Sequence, residues 1–245
     1  MSAGLAVAEE QPPTIAAASD LSAALPEVAA AFRARTGRTV RLTFGSSGNF
    51  TQQILNGAPY QIFLSADEAY VEALRRAGRT DGAGVLYGVG RIGLFVPKGS
   101  PVTADAALAG LAAAMRAGQV SKFAIANPDH APYGRAAREA LQKARLWDEL
   151  QSRLILGENV SQATQFAMTG GAQAGVIPLS LALTAPVKAA GAFVLIPSDW
   201  HRPLRQRAVV LRGAGPTARA FFAFLQGPDA RAILTRYGFT VPAVR

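Results

Sequence analysis

Short apolar runs alternate along the chain with segments whose apolar residues recur every three or four positions. The first kind predicts buried strands and the second predicts amphipathic helices packed over them. Strands are predicted at 14–18, 40–44 and 62–65. A helix over 22–36 has Leu25, Val28 and Phe32 on one face. Pro26 is tolerated there in the first turn, and Gly37 supplies the stop. Further helices are predicted from the Gly45-Ser46-Ser47-Gly48 turn to about Leu55, and over 67–77 before Gly78. A strand at 91–96 ends at the breaker run 97–101, and a second series begins. It has strands at 123–126, 154–156, 174–177, 193–196 and 207–211. Its helices are expected at 135–147, from 161 to about 169, at 217–225 and at 229–237. Regular alternation of this kind is the mark of an α/β fold with parallel sheets. Two series imply two lobes, with the chain crossing between them near 87–96 and 204–211. The cleft between such lobes is where ligands are expected.

The strand-to-helix turns carry the candidate chemistry. Ala18-Ser19-Asp20 and Gly45-Ser46-Ser47-Gly48 occupy two turns of the first series. Pro132-Tyr133-Gly134 and Asn159-Val160-Ser161 occupy the matching turns of the second. A helix N-terminus presents unpaired N–H groups and the positive end of the helix dipole. Small and hydroxyl residues there let an anion approach and add O–H donors. Any one of these turns alone reads as ordinary capping, since Ser, Asp and Asn are the commonest N-caps. Their recurrence in both series points to a cage of donors suited to a fully ionised dianion.

Composition narrows the picture. The 245 residues include no cysteine and two histidines, His130 and His201. Disulfides, thiol catalysis and thiolate metal sites are therefore excluded, and two histidines argue against a histidine-rich metal site. No apolar run reaches the roughly 18–20 residues of a membrane-spanning helix. A net charge of +9, from 25 basic and 16 acidic residues, favours anionic ligands. The basic residues are scattered, with no run of three and no aromatic interleaving, which argues against nucleic acid. Residues 1–13 show no amphipathic pattern and are expected to be a disordered segment. Ala6-Val7-Ala8 has the small-x-small form of a signal-peptidase site, so the chain reads as a trimmed secreted protein, free rather than lipid-anchored.

Several longer stretches resemble one family. AAASDLSAAL from Ala16, FGSSGNFTQQILNGAPYQIFLSADE from Phe44 and FAIANPDHAPYGRAAREAL from Phe123 are three of them. LGENVSQA from Leu156 and RYGFTVP near the end complete the set. Together they are similar to the periplasmic molybdate-binding proteins of ABC importers, and they span nearly the whole chain after Thr14. The resemblance implies a two-lobed periplasmic binding protein (type II), each lobe a mostly parallel sheet flanked by helices, joined by two crossover strands. Lobe 1 would be 14–90 with 205–245, and lobe 2 would be 91–204. It implies a monomer that captures molybdate or tungstate without a cofactor or catalysis and hands it to a membrane permease.

Carried over by motif, Ser19 and Ser47 would each donate a hydroxyl and an N–H. Tyr133 would contribute its phenol and Val160 its N–H. One branch of the family has a tyrosine where this chain has Pro178, which leaves the phenol role to Tyr133. Asp20 beside Ser19 would repel a dianion, so it is expected to cap the first helix and turn away. The alternatives are a receptor for sulfate or phosphate, or an enzyme on the same fold with Asp20 or His130 as its base. Gly88-Val89-Gly90-Arg91-Ile92-Gly93 matches the dinucleotide GxGxxG pattern but runs into a strand rather than a helix. Ser47 and His130 with an Asp form a hydrolase triad only on paper, since the flanking residues are not the GxSxG elbow.

Overall fold

A computed structural model describes residues 11–242. Among them, ten strands form two five-stranded sheets. They are β1 (Thr14–Ala18), β2 (Arg41–Gly45), β3 (Ile62–Ser65), β4 (Thr80–Gly90), β5 (Ile92–Pro97), β6 (Phe123–Ala126), β7 (Leu154–Gly157), β8 (Ala174–Pro178), β9 (Gly191–Leu195) and β10 (Leu204–Leu211). The strand orders are β2-β1-β3-β10-β4 and β7-β6-β8-β5-β9. The two orders are one pattern used twice, with β1 equivalent to β6 and β2 to β7. In the first sheet β1, β2 and β3 pair in parallel, and β10 is antiparallel to both β3 and β4. In the second, β6, β7 and β8 pair in parallel, and β5 is antiparallel to β8 and β9. Both sheets are therefore mixed: four strands run one way, and the strand arriving from the other lobe runs the opposite way. This is the physical reason the sheets depart from all-parallel pairing.

Both faces of each sheet are covered, which is why the strands read as continuous apolar runs. In the first lobe Ile15, Ala17, Ile62 and Leu64 face one cluster, while Ala16 and Phe63 face another. Helix Ala24–Thr36 buries Leu25, Val28 and Phe32, and the Phe32 ring meets Phe221 edge-on at 5.3 Å. In the second lobe Phe123 and Ile125 face one cluster and Ala124 the other.

The chain passes from the first sheet to the second between Gly90 and Ile92 and returns at Leu204. The GxGxxG run is thus the end of β4 and the start of β5, with no helix following it. Gly90 is needed for close approach: a Cβ there would stand 2.1 Å from the Tyr133 hydroxyl. Several elements differ from expectation. β4 runs from Thr80, where only a crossover near 87–96 was expected, and β10 begins at Leu204 rather than 207. Helices Ala109–Arg116, Leu179–Ala182 and Ala185–Ala190 were not foreseen, and the helix expected over 135–147 is Pro132–Lys143 followed by a separate turn at Trp147–Leu150. The break falls at Arg145, whose φ of 59° leaves the right-handed helix. Residues 1–10 of the segment set apart at the N-terminus lie outside the described residues. Pro13 is buried, and its carbonyl accepts from Arg41 N at 2.9 Å.

Candidate functional site

Five strands, β1, β2 and β3 of one sheet and β6 and β7 of the other, lead into one cavity. β1 and β6, and β2 and β7, are topological equivalents, so the two lobes present like ends to a shared space. The cavity is tight, about 10 Å³, and its walls include Ser19, Asp20, Ser46, Ser47, Tyr133 and Val160. All four sequence candidates, Ser19, Ser47, Tyr133 and Val160, are brought together there, each no more than 4% exposed. Among the described residues no Arg or Lys lines it. Among the described residues there is no group of three His, Asp or Glu side chains able to hold a metal ion.

Both serine hydroxyls are set up as donors. Ser19 Oγ accepts from Ser161 N at 3.3 Å, and Ser47 Oγ accepts from Ala66 N at 3.0 Å. With an N–H occupying an acceptor position, each hydroxyl has its own proton to give to a cavity solute. Three helices begin at the cavity: Ser47–Leu55, Pro132–Lys143 and Val160–Met168. Ser46 and Asn159 are the N-caps of the first and third, accepting from Asn49 N at 3.3 Å and Gln162 N at 3.1 Å. The N–H groups of Ser47, Tyr133 and Val160 lie in first turns, beyond reach of any carbonyl of their own helix. The arrangement offers hydroxyl and amide donors plus three positive helix ends.

Asp20 departs from the sequence reading. It does not cap the first helix and turn away: helix Ala24–Thr36 has no side-chain cap, and Asp20 lies fully buried in a 3-10 turn, Ser19–Leu21, on the cavity wall. Its Oδ2 accepts from the Tyr133 hydroxyl at 2.9 Å and from Gln206 Nε2 at 2.7 Å. The Gln206 amide is oriented by the Tyr87 hydroxyl, which donates to its Oε1 at 2.7 Å. Oδ1 has no hydrogen-bond partner among the described residues. Burial pushes the Asp20 carboxyl from its ordinary 3.8 up to about 7, against the interactions with Gln206, Tyr133 and its own backbone N–H, which favour the charged form. Burial, with Asp20 beside it, likewise holds the Tyr133 phenol well above its usual value. Tyr133 therefore lines the cavity with its hydroxyl already committed to Asp20, and the donor it has left is its backbone N–H.

The lobes touch around this cavity. Gly48 N donates to the His130 carbonyl at 2.9 Å, and His130 Nδ1 lies 2.9 Å from Ser46 Oγ. Ser161 Oγ donates to the Ser19 carbonyl at 2.8 Å. Arg135 pairs with Asp67 at 2.6 Å and donates to the Tyr70 hydroxyl at 2.7 Å. Gly48 is required here, because a Cβ would stand 2.6 Å from the His130 carbonyl oxygen. The hydrolase triad does not form, since His130 bonds Ser46 rather than Ser47 and its other ring nitrogen faces Glu158 at 3.5 Å. Sequence reasoning missed Gln206. Its signal was present: Leu204, Gln206 and Ala208 alternate with Arg205 and Arg207, which puts a glutamine on the buried face of β10.

Such geometry defines a receptor whose two lobes close on one small solute. The chain belongs to the family of bacterial extracellular solute-binding proteins, which matches residues 13–240. Membership places it outside the cytoplasm. It is 34% identical over 228 residues to the molybdate-binding protein ModA of Azotobacter vinelandii, covering 92% of this chain and 88% of that one. It is 35% identical over 240 residues to the ModA of Rhodobacter capsulatus, covering 96% and 91%. The solved structure of the Azotobacter vinelandii periplasmic molybdate-binding protein superimposes with a TM-score of 0.83 at 29% identity, covering 94% of this chain and all of that one. These relatives are solute-binding proteins rather than enzymes, and the fold is that of a two-lobed periplasmic binding protein.

Proposed function

We propose that this protein captures molybdate or tungstate in the periplasm and delivers it to the permease of an ABC importer, without catalysing a reaction. The observation that carries the reading is the convergence of strand ends from both lobes on one cavity whose described walls offer hydroxyl and amide donors and no Arg or Lys. Ser19 and Ser47 would give their hydroxyls, and Ser47, Tyr133 and Val160 their N–H groups, to the oxygens of one tetrahedral dianion. A hydrogen bond to a charged partner contributes about 1.5–3 kcal/mol net. Several together reach the roughly 8 kcal/mol of a micromolar complex. Closure excludes water and strengthens each donor. The names of the relatives supply the choice of molybdate among oxyanions.

Isothermal titration calorimetry with molybdate, tungstate, sulfate and phosphate at neutral pH tests this reading. One-to-one binding of molybdate and tungstate, tighter than sulfate by at least tenfold, is the expected result. A cage of fixed size reads the larger radius of the two heavier anions. The buried carboxyl on the wall gives a specific reason to include phosphate, which can bring a proton of its own. Preference for phosphate would move the protein to another importer, and silence from all four would reopen the enzyme reading.

A further inference from the structure

Asp20 is an anomaly in an anion site, and its surroundings resolve it. A charged carboxylate on the wall would oppose a dianion, yet the residue is fully buried and its side chain is bonded on one oxygen only. Oδ2 receives two donors, from Tyr133 and Gln206. A proton on Oδ2 would point at those donors. Oδ1 has no hydrogen-bond partner among the described residues and belongs to a residue that lines the cavity, so a proton there is available to a solute. We infer that Asp20 enters ligand capture as a neutral carboxylic acid whose Oδ1–H donates to the oxyanion, so that each anion is bound together with one proton drawn from solvent. The inference rests on the oxyanion reading above and adds a ligand group and a proton to it.

The surroundings favour the neutral acid. The ionisable groups nearest Asp20 are Tyr133, from helix Pro132–Lys143, and Tyr87, from β4. Burial, with Asp20 beside them, keeps both phenols neutral. The remaining neighbours are neutral: Gln206 from β10, and Ser180, whose hydroxyl donates to the Asp20 carbonyl at 2.7 Å. Among the described residues no Arg, Lys or His is bonded to Asp20 to hold it ionised. Its acidity already lies near neutrality in the closed lobes, and a dianion at Oδ1 raises it further. The coupling also has a use in release. When the lobes part and water reaches the turn, Asp20 ionises and repels the departing anion.

The test is calorimetry of the full chain with molybdate at pH 8, in buffers of different ionisation enthalpy, with affinities followed from pH 6 to pH 9. Molybdate carries no proton in this range, so any proton taken up belongs to the protein. The expected result is uptake of about one proton per anion and an affinity that falls on the order of tenfold per pH unit above pH 7. Asp20→Asn keeps a donor at the same place without a titrating proton. It should show no uptake and a flat profile, while His130→Gln should keep the wild-type slope. Binding without proton uptake in the wild type overturns this inference alone. An unchanged slope in Asp20→Asn, or its loss in His130→Gln, does the same by placing the titration elsewhere. Absence of any molybdate binding overturns the oxyanion reading and this inference with it.

Discussion

The two lobes share a strand order but arm their equivalent strand ends differently. In the first lobe, β1 and β2 lead to Ser19 and Ser47, which line the cavity and whose hydroxyl acceptor positions are filled by Ser161 N and Ala66 N. In the second, β6 and β7 lead to Tyr133 and Val160. The Tyr133 hydroxyl is spent on Asp20 and Val160 has no polar side chain, so only backbone N–H groups remain to donate. One half of the cage is thus written in side chains and can be erased by point substitution. The other half is written in helix starts and caps, and substitution should reach it only by disturbing the backbone. Gly48 joins the halves, because its N–H bonds the His130 carbonyl with no room for a side chain between.

The largest effect should come from the first lobe. Replacing Ser19 and Ser47 together with alanine removes both hydroxyl donors, at about 1.5–3 kcal/mol each. Molybdate affinity measured by calorimetry should fall at least a hundredfold. Ser47→Ala alone should exceed Ser19→Ala, because the Ala66 N–H it orphans is buried and bonded at 3.0 Å, whereas the Ser161 N–H orphaned by Ser19→Ala is only partly buried and bonded at 3.3 Å. A double variant that binds as the wild type does would break the comparison at its stronger side.

Next in size is a stability effect on the same turn. The folded-state value of Asp20, about 7, stands above its ordinary 3.8. Its contribution is therefore complete below pH 3.8 and is lost as the pH rises through 7. Roughly three pH units correspond to up to about 4 kcal/mol at pH 8. Asp20→Asn should melt at a higher temperature than the wild type at pH 8, with the gap closing at pH 4. An equal gap at both values would mean that the carboxyl is not held neutral by burial.

Gly48→Ala should weaken molybdate binding by about 1–3 kcal/mol, the usual cost of forcing atoms into a packed contact. Its effect should appear as lost compaction on adding ligand, measured by small-angle scattering. The smallest effect sharpens the contrast between the lobes. Val160→Ala keeps the backbone donor, so affinity should change by less than about 0.5 kcal/mol, whatever it does to folding. A loss as large as that of Ser19→Ala would show that the second lobe also reads its ligand through side chains.

Much of this was legible from the chain alone, where local signal and tertiary role coincide. Phe123–Ala126 reads as a buried strand because both of its faces are covered. Glycine-rich β4 was invisible in its first half, where Thr80 to Gly84 lacks alternation. It exists as a strand because β10 supplies the ladder, with two register shifts along the pairing. Helix Ala109–Arg116, rich in alanine and short, has too weak a face to stand out from the loop before it. At the site, the turns that hold Ser19, Ser47, Tyr133 and Val160 could be found because they join strands to helices, and the resemblance to the molybdate-binding family then singled out these four residues. The role of Asp20 could not. Asp before a helix looks like a cap in any sequence, and only the long-range approach of Tyr133 and Gln206 from two other elements reveals a buried acid.

The most direct test of the convergence itself is a crystal of the protein grown with tungstate, mapped by anomalous scattering at a tungsten absorption edge. The account predicts one strong peak between the lobes, enclosed by Ser19, Ser47, Tyr133 and Val160 with Asp20 Oδ1 facing it. A peak elsewhere on the molecule, or an empty cavity in a crystal saturated with the anion, would contradict it.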